Sequence, residues 1–303
     1  MHDKFCSGRK LNQSGFVITT AVLIFFSILI VVSAMVYYIY YKRADIYLQS
    51  KQQEQFSYIQ DNLNSFYYQN DYQIEQNAGN VLQTNQGTFS SWQQLAGYLG
   101  LPLTDVYQNN YIMYVSSRLT DSTTGNYYHL VYIVSLGSSH KLQSTFNQST
   151  GVLTLGGTNT AIKIDGKSIN NQIYLENSKQ LSNLARKIQG FVKALYTASN
   201  KQGWNYFYNS QDSTCQNLGL TQYGAGIFGC YQGTPIGQTN LPSQMNIGSN
   251  EYTNTLGVQF VFDNASSNVS AVAQTGQSST VYTARVGIPQ PNSVIKWIVF
   301  SYQ

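Results

Sequence analysis

Residues Phe16–Tyr41 contain no charge, no Pro and no Gly, and they begin directly after a short basic leader that ends in Gly15. Such a run leaves a chain few options. About 20 apolar residues suffice to cross a bilayer core of roughly 30 Å, and backbone in lipid is satisfied by helices or closed barrels. The run is therefore predicted to be one helix, long enough to span with some tilt. A cleaved secretory signal carries its processing site behind the apolar stretch, after small residues. Here the boundary of that character lies in front of it, so the segment is expected to remain in the mature protein as a structural part. Lys4, Arg9 and Lys10 precede it, while Lys42 and Arg43 follow it. Counting cations therefore leaves the orientation open. Tyr37, Tyr38, Tyr40 and Tyr41 form an aromatic belt at its far end. By hydropathy alone, an ordinary signal anchor has the same pattern.

The helical pattern continues past the charges at Lys42, Arg43 and Asp45. From Lys42 to Tyr68 there is no Gly or Pro, and Ile46, Tyr47, Gln53, Phe56, Ile59, Leu63 and Phe66 recur at mostly three- and four-residue spacings. Phe16–Tyr68 is thus expected to form a single helix of about 80 Å at 1.5 Å per residue. Its second half would lay an apolar stripe on a folded head. The stripe is too short for the three or four heptads of a coiled-coil neck.

The leader Gly8-Arg-Lys-Leu-Asn-Gln-Ser-Gly15, followed by Phe16-Val-Ile-Thr-Thr-Ala21, resembles the prepilin-peptidase site of type IV pilins. The resemblance implies cleavage after Gly15 by a prepilin peptidase and N-methylation of Phe16. It also implies a first half that anchors the precursor in the inner membrane and later packs against other pilin subunits. At mature position five, where most major pilins carry the Glu linked to subunit assembly, this chain has Thr20. That departure points to a minor subunit, because some minor pilins and pseudopilins lack the Glu.

Composition describes the remainder. The chain is 42% hydrophobic and only 10% charged, with 25 Tyr and 24 Gly, where a typical domain is about 25% charged. Its polarity comes from Asn, Gln, Ser, Thr and Tyr, and the abundance of aromatic and β-branched residues argues against disorder. The formal charge is +4, and the leader holds Lys4, Arg9 and Lys10 against Asp3, so the mature part carries +4 − 2 = +2. With no basic run or face, nucleic acid is not an expected partner.

The predicted architecture is α+β: the long helix packed on an antiparallel head, with a β-rich C-terminal region. Residues 1–15 are read as leader, 16–68 as the helix (16–41 transmembrane), 69–202 as the head and 203–303 as the C-terminal region. Gln73–Gly87 reads as a polar connector. Ser90-Ser-Trp-Gln93 has capping-box spacing before a short helix through Trp92, Leu95, Ala96 and Leu99 that ends near Gly100. Tyr111–Ser117 and Tyr127–Ser135 read as a hairpin, and Val152–Leu155 with Ala161–Ile164 as another divided by Gly156-Gly157. Asn177–Ser199 is expected to be a helix with Leu181, Leu184, Ile188, Phe191, Val192 and Leu195 on one face. Further strands are expected at Leu256–Phe262, Ser279–Val286 and Ser293–Tyr302.

Three cysteines are present. Cys6 falls in the leader, which leaves Cys215 and Cys230 as an even pair in an exported part. That is the arithmetic of a disulfide, with two buried free thiols as the alternative. A metal site has only His129 and His140 to draw on and no Cys-x-x-Cys spacing. Around this pair, Cys215-Gln-Asn-Leu-Gly-Leu220 and Gly226-Ile-Phe-Gly-Cys230-Tyr-Gln-Gly-Thr-Pro235 resemble a cysteine motif of PilV-type minor pilins. These are tip adhesins of type IVb pili, whose N-terminal portion defines the shufflon-protein family. Pro235 stands where that family has Trp, and about 70 residues after Cys230 have no place in its pattern. The resemblance implies an adhesive head whose partner is a surface glycan or lipopolysaccharide. A type II secretion minor pseudopilin and a signal-anchored surface protein are the competing readings.

Nothing points to catalysis or to a cofactor. Ser138-Ser-His-Lys141 has Ser-x-x-Lys spacing without its companion motifs. There is no phosphate loop, dinucleotide Gly motif or His-Glu-x-x-His. Asp105, Asp121, Asp165, Asp212 and Asp263 are scattered, and Asp263–Asn268 lacks EF-hand spacing and reads as a turn.

Overall fold

The computed structural model describes residues 13–199, 201–270, 281–291 and 293–302, with side chains from Thr20 onward except at 268 and 270. Residues 1–12 of the expected leader, including Cys6, lie outside them, as do 279 and 280 of one expected strand. The chain is α+β. It divides into two compact units, one ending at Phe56 and one running from Ser57.

The first unit consists of the greater part of α1 (Gln13–Gln76). All residues from Thr20 to Ala44 are exposed. This helix is long and apolar enough to cross a membrane, with a mean hydropathy of 2.6 over its most apolar 18 residues. An exposed surface of Leu, Ile, Val and Phe at that density costs about 25 cal/mol per Å² in water.

In the second unit, α1 supplies Ile59, Leu63, Phe66, Tyr67 and Ile74 to a core. Ile46, Tyr47 and Gln53, expected on the same stripe, are exposed. The buried stripe therefore starts later than the spacing suggested and runs on past Tyr68. Burial of Ile74 carries the helix to Gln76 through the first part of the expected connector, whose rest folds as the hairpin of β1 (Leu82–Thr84) and β2 (Gly87–Phe89). Next, α2 (Trp92–Leu99) buries Trp92, Leu95 and Ala96, and ends on left-handed Gly100, whose N–H bonds to the Ala96 carbonyl. The expected capping box is replaced: Gln94, not Gln93, reaches back, its Oε1 accepting from the Ser90 N–H at 2.9 Å and hydroxyl at 3.1 Å.

A three-stranded antiparallel sheet follows, in the order β3 (Ile112–Val115), β6 (Leu130–Ser135), β9 (Thr160–Asp165). Between its first two strands, β4 (Leu119–Thr120) and β5 (Tyr127–Tyr128) extend the expected hairpin to its turn. The second expected hairpin is not formed. β8 (Val152–Thr154) pairs backward with β7 (Thr145–Asn147), while β9 joins β6. The reason lies at Asn147–Gly151: the Asn147 Oδ1 accepts from the N–H groups of Ser149 and Thr150, and Gly151 takes a left-handed φ of 67°. That turn closes the hairpin before Gly156-Gly157 is reached.

Helix α3 (Gly166–Ser199) begins eleven residues before the expected Asn177, because Asn170 and Ile173 extend its buried face and Asp165 accepts from the Lys167 N–H. Gly166 has no room for a side chain, since a Cβ there would overlap the Tyr67 hydroxyl and the His129 carbonyl. Leu181, Leu184, Ile188 and Val192 face the C-terminal region. There, after α4 (Ser213–Asn217), come β10 (Thr234–Pro235), α5 (Leu241–Met245), α6 (Ser249–Tyr252), β11 (Val261–Asp263), α7 (Ser267–Ser270), β12 (Thr283–Pro289) and β13 (Ile295–Ser301). The four strands form one antiparallel sheet in sequence order. The expected strand at Leu256–Phe262 shortens to β11 because Asn254 Oδ1 takes the N–H groups of Leu256 and Val258 into a turn.

Between α1 and the three-stranded sheet lies a buried polar cluster. Glu75, fully buried, accepts from the Tyr67 hydroxyl and from the His129 N–H at 3.2 Å, and its Oε2 lies 3.0 Å from His129 Nδ1. His129 Nε2 donates to the Gly79 carbonyl at 3.0 Å, which fixes the hydrogen on that nitrogen. One turn before Glu75, Asp71 is 3% exposed and its Oδ1 has no hydrogen-bond partner. Burial, and then the charge of Glu75, push the Asp71 carboxyl well above the usual carboxylate range.

Candidate functional site

Of the residues singled out from sequence, Gly15 and Phe16 fall in the first turns of α1, and Thr20 is exposed on the same helix. Cys215 and Cys230 form a disulfide with Cα atoms 4.7 Å apart, both side chains buried. The five scattered aspartates share one structural role. Asp105, Asp121, Asp165, Asp212 and Asp263 each accept from the N–H two residues ahead, in Tyr107, Thr123, Lys167, Thr214 and Ala265. Each is thus a turn former. Asp263 is also paired with Arg285 at 2.7 Å, beneath Trp297. Among the described residues no three His, Cys, Asp or Glu side chains are placed to share a metal ion.

The disulfide closes a loop that lies flat on residues 205–210. Asn205 N–H donates to the Tyr223 carbonyl at 2.6 Å, Ala225 N–H to Asn205 at 2.8 Å, Gly226 N–H to Tyr208 at 2.8 Å, and Asn209 N–H to Phe228 at 2.7 Å. Such close approach requires the glycines: a Cβ on Gly224 would overlap the Ser210 amide and the Tyr208 ring, and one on Gly226 the Tyr206 carbonyl. Buried Asn264 clamps both segments, donating from Nδ2 to Phe207 at 2.7 Å and Gly229 at 2.9 Å while accepting from the Tyr231 N–H at 2.8 Å. Cys230 N–H donates to Thr214 Oγ1 at 2.8 Å, tying the loop to α4.

Beneath this ribbon is an aromatic core of Tyr206, Phe207, Tyr208, Phe228, Tyr282, Phe300 and Tyr302. Its tyrosines are buried by their rings and use their hydroxyls on the backbone above. Tyr208 donates to Gln222 at 3.0 Å, Tyr302 to Trp204 at 2.8 Å and Tyr282 to Gly203, while Tyr206 accepts from the Lys201 N–H at 2.9 Å. Burial pushes the Tyr208 hydroxyl up to about 12, with nearby Tyr282 adding to the shift. The high Tyr content of the chain serves, in part, to hold these loops to the core.

The loops so held enclose an open cleft of about 560 Å³. Half-buried Trp204 and Tyr223 meet edge to face on one side, centroids 6.1 Å apart, with Lys201 Nζ 4.8 Å from the Trp204 ring centre. Asn209, Gln211, Thr221 and Gln222 add amides and a hydroxyl, and among the described residues no carboxylate lines the cleft. Tyr223 has a φ of 59°, a left-handed conformation that costs a bulky side chain energy. The cysteine pair stands out in the sequence, whereas Trp204 joins residues 221–226 only in three dimensions. A second cleft of about 520 Å³ between α1, β9 and α3 has its charges engaged internally, Lys163 with Asp165 at 2.9 Å and Tyr68 with Glu176.

Comparison with protein-family models, curated proteins and solved structures yields no significant match to this chain.

Proposed function

We propose that this protein is a minor subunit of a type IV pilus, PilV-like, anchored in the inner membrane as a precursor and then built into a filament with an adhesive role at or near its tip. One observation carries the reading. A basic leader ending in Gly15 meets an uninterrupted apolar helix that is exposed from Thr20 to Ala44, attached to a chain that folds around its own core elsewhere. An exposed apolar helix of this length must be covered, first by lipid and then by neighbouring helices of the same kind. The driving terms for assembly are helix packing and removal of apolar surface from water. Thr20 leaves out the carboxylate of bulk subunits and suits a subunit present in few copies. The disulfide and the clamped loops suit a head that works outside the cell, where a surface glycan or lipopolysaccharide is the partner. Asp105, Asp121, Asp165, Asp212 and Asp263, each committed to its own turn, favour this reading over a pseudopilin head built on a calcium-type carboxylate cluster.

Mass spectrometry of the mature N-terminus tests it. The expected mass begins at N-methylated Phe16. An intact Met1 excludes the pilin class and leaves the signal-anchored surface protein; a cut beyond Ala34 excludes the pilin class too, since most of the apolar run is then lost.

A further inference from the structure

The cleft beside the disulfide loop has the chemistry of a carbohydrate site with a charge preference. Sugar rings present one face of C–H groups and a rim of hydroxyls. The C–H face stacks on the electron-rich face of an aromatic ring, and the hydroxyls pair with amides, which both donate and accept. Trp204 and Tyr223 offer such rings, half-buried and set edge to face. Asn209, Gln211 and Gln222 offer the amides and Thr221 a hydroxyl.

The electrostatics narrow the class. Among the described residues Lys201 is the one charged side chain lining the cleft, and its Nζ, 4.8 Å from the Trp204 ring centre, is within reach of a substituent on a sugar held at that wall. A lone lysine is a compact point charge that matches one negative group; a polysulfated chain calls for a cluster of cations or a bidentate arginine. The floor is rigid as well. Gly224 and Gly226 are seated without clearance, the disulfide closes the loop, and Tyr208, Tyr302, Tyr282 and Tyr206 fix the rim from below. Rigidity of this kind lowers the ordering cost of binding a flexible glycan. The left-handed backbone of Tyr223 is maintained against its own preference and sets that ring at the cleft wall. Directly behind it, fully buried Asn205 has an Nδ2 without a hydrogen-bond partner.

We propose that this cleft binds a hexuronate-bearing glycan, the sugar stacked at Trp204 and Tyr223 and its carboxylate held by Lys201. The proposal deepens the adhesive reading given above and rests on it for biological meaning, but the binding itself does not depend on filament assembly. The test uses the purified full-length chain in mild detergent, titrated with trigalacturonate, trimannuronate and a hyaluronan tetrasaccharide, and with uncharged galactotriose as the reference. Binding is read by calorimetry and by saturation transfer from protein to sugar.

Saturable binding of at least one uronate, tighter than galactotriose, is expected. Lys201→Gln, at an exposed position, should reduce that preference by about fivefold, the effect of an exposed charge pair. Trp204→Ala should abolish binding of all sugars, and Gln222→Ala, also exposed, should weaken it if Trp204→Ala proves misfolded by circular dichroism. No saturable binding to any of the three uronates overturns the proposal. So does equal affinity for galactotriose, or binding unaffected by both the Lys201 and Gln222 changes. A chain that binds uronate yet keeps Met1 refutes the pilin reading alone; one that starts at Phe16 and binds nothing refutes only the cleft.

Discussion

Asp71 gives the sharpest physical test of the head. It is 3% exposed on α1, its Oδ1 has no partner, and burial with the neighbouring Glu75 charge raises its pKa well above the ordinary range. The folded chain therefore retains a proton that the unfolded chain releases above the usual carboxylate pKa of about 3.9. Where the folded state binds more protons, stability falls as pH rises. For one proton the slope is at most about 1.4 kcal/mol per pH unit, starting from the unfolded value and ending at the raised folded one. Asp71→Asn keeps the shape and removes the titration. Its new N–H groups enter a buried place with an orphaned atom, which costs about 1–3 kcal/mol. The variant should thus match or trail the parent at pH 4 and gain on it steadily as pH rises. In thermal melts of full-length protein in detergent, the Tm difference should shift by about 3–5 °C per pH unit, given the usual relation for a domain of this size. Curves that stay parallel from pH 4 to 7, or a parent that gains on the variant with pH, refute the assignment of a retained proton to Asp71.

Three further outcomes are expected. Replacing Cys215 and Cys230 together by Ala should cost about 3 kcal/mol, the entropy of closing a loop with a separation of 15 residues, read as a lower denaturant midpoint; a loss under 1 kcal/mol would show that the clamps by Asn264 and Thr214 suffice. Tyr208 titrates near pH 10 when unfolded and about 12 when folded, so the head should lose stability as pH climbs between those values, and Tyr208→Phe should flatten that part of a pH–Tm curve. Gly226→Ala should destabilise by about 1–3 kcal/mol, because its Cβ meets the Tyr206 carbonyl, while Gly190→Ala, with nothing within 4 Å in the middle of α3, should stabilise by about 1 kcal/mol.

What the sequence made legible follows the range of each interaction. The exposed apolar helix, α2 with its Gly100 stop, the β3–β6 hairpin and the cysteine pair all rest on local spacing or simple counting, and they stand in the structure. Structure and local pattern part where two local solutions compete. Gly156-Gly157 and Asn147–Gly151 both offer turns, and the Asn147 side chain decides for the latter. Helix ends were misplaced because Ile74 and Ile173 gain their stabilisation from partners remote in sequence. Asp71, Glu75 and His129 are ordinary polar letters in the chain until the fold buries them together. The cleft was illegible for the same reason: Trp204 and Gln222 are brought together partly by hydroxyl bonds to their carbonyls, from Tyr302 and from Tyr208, the first 98 residues away.

The position of the disulfide also sets a time order. One wall of the cleft, Thr221–Gly226, lies inside the loop that Cys215 and Cys230 close. In a reducing compartment the thiols stay apart, and that wall is held without its covalent tie, by its hydrogen bonds and by packing such as Tyr223 on Trp204. On the function proposed above, oxidation after export would complete it. The head would then become competent to bind only once it is outside, so a nascent chain could not capture cytoplasmic sugars before its helix is anchored.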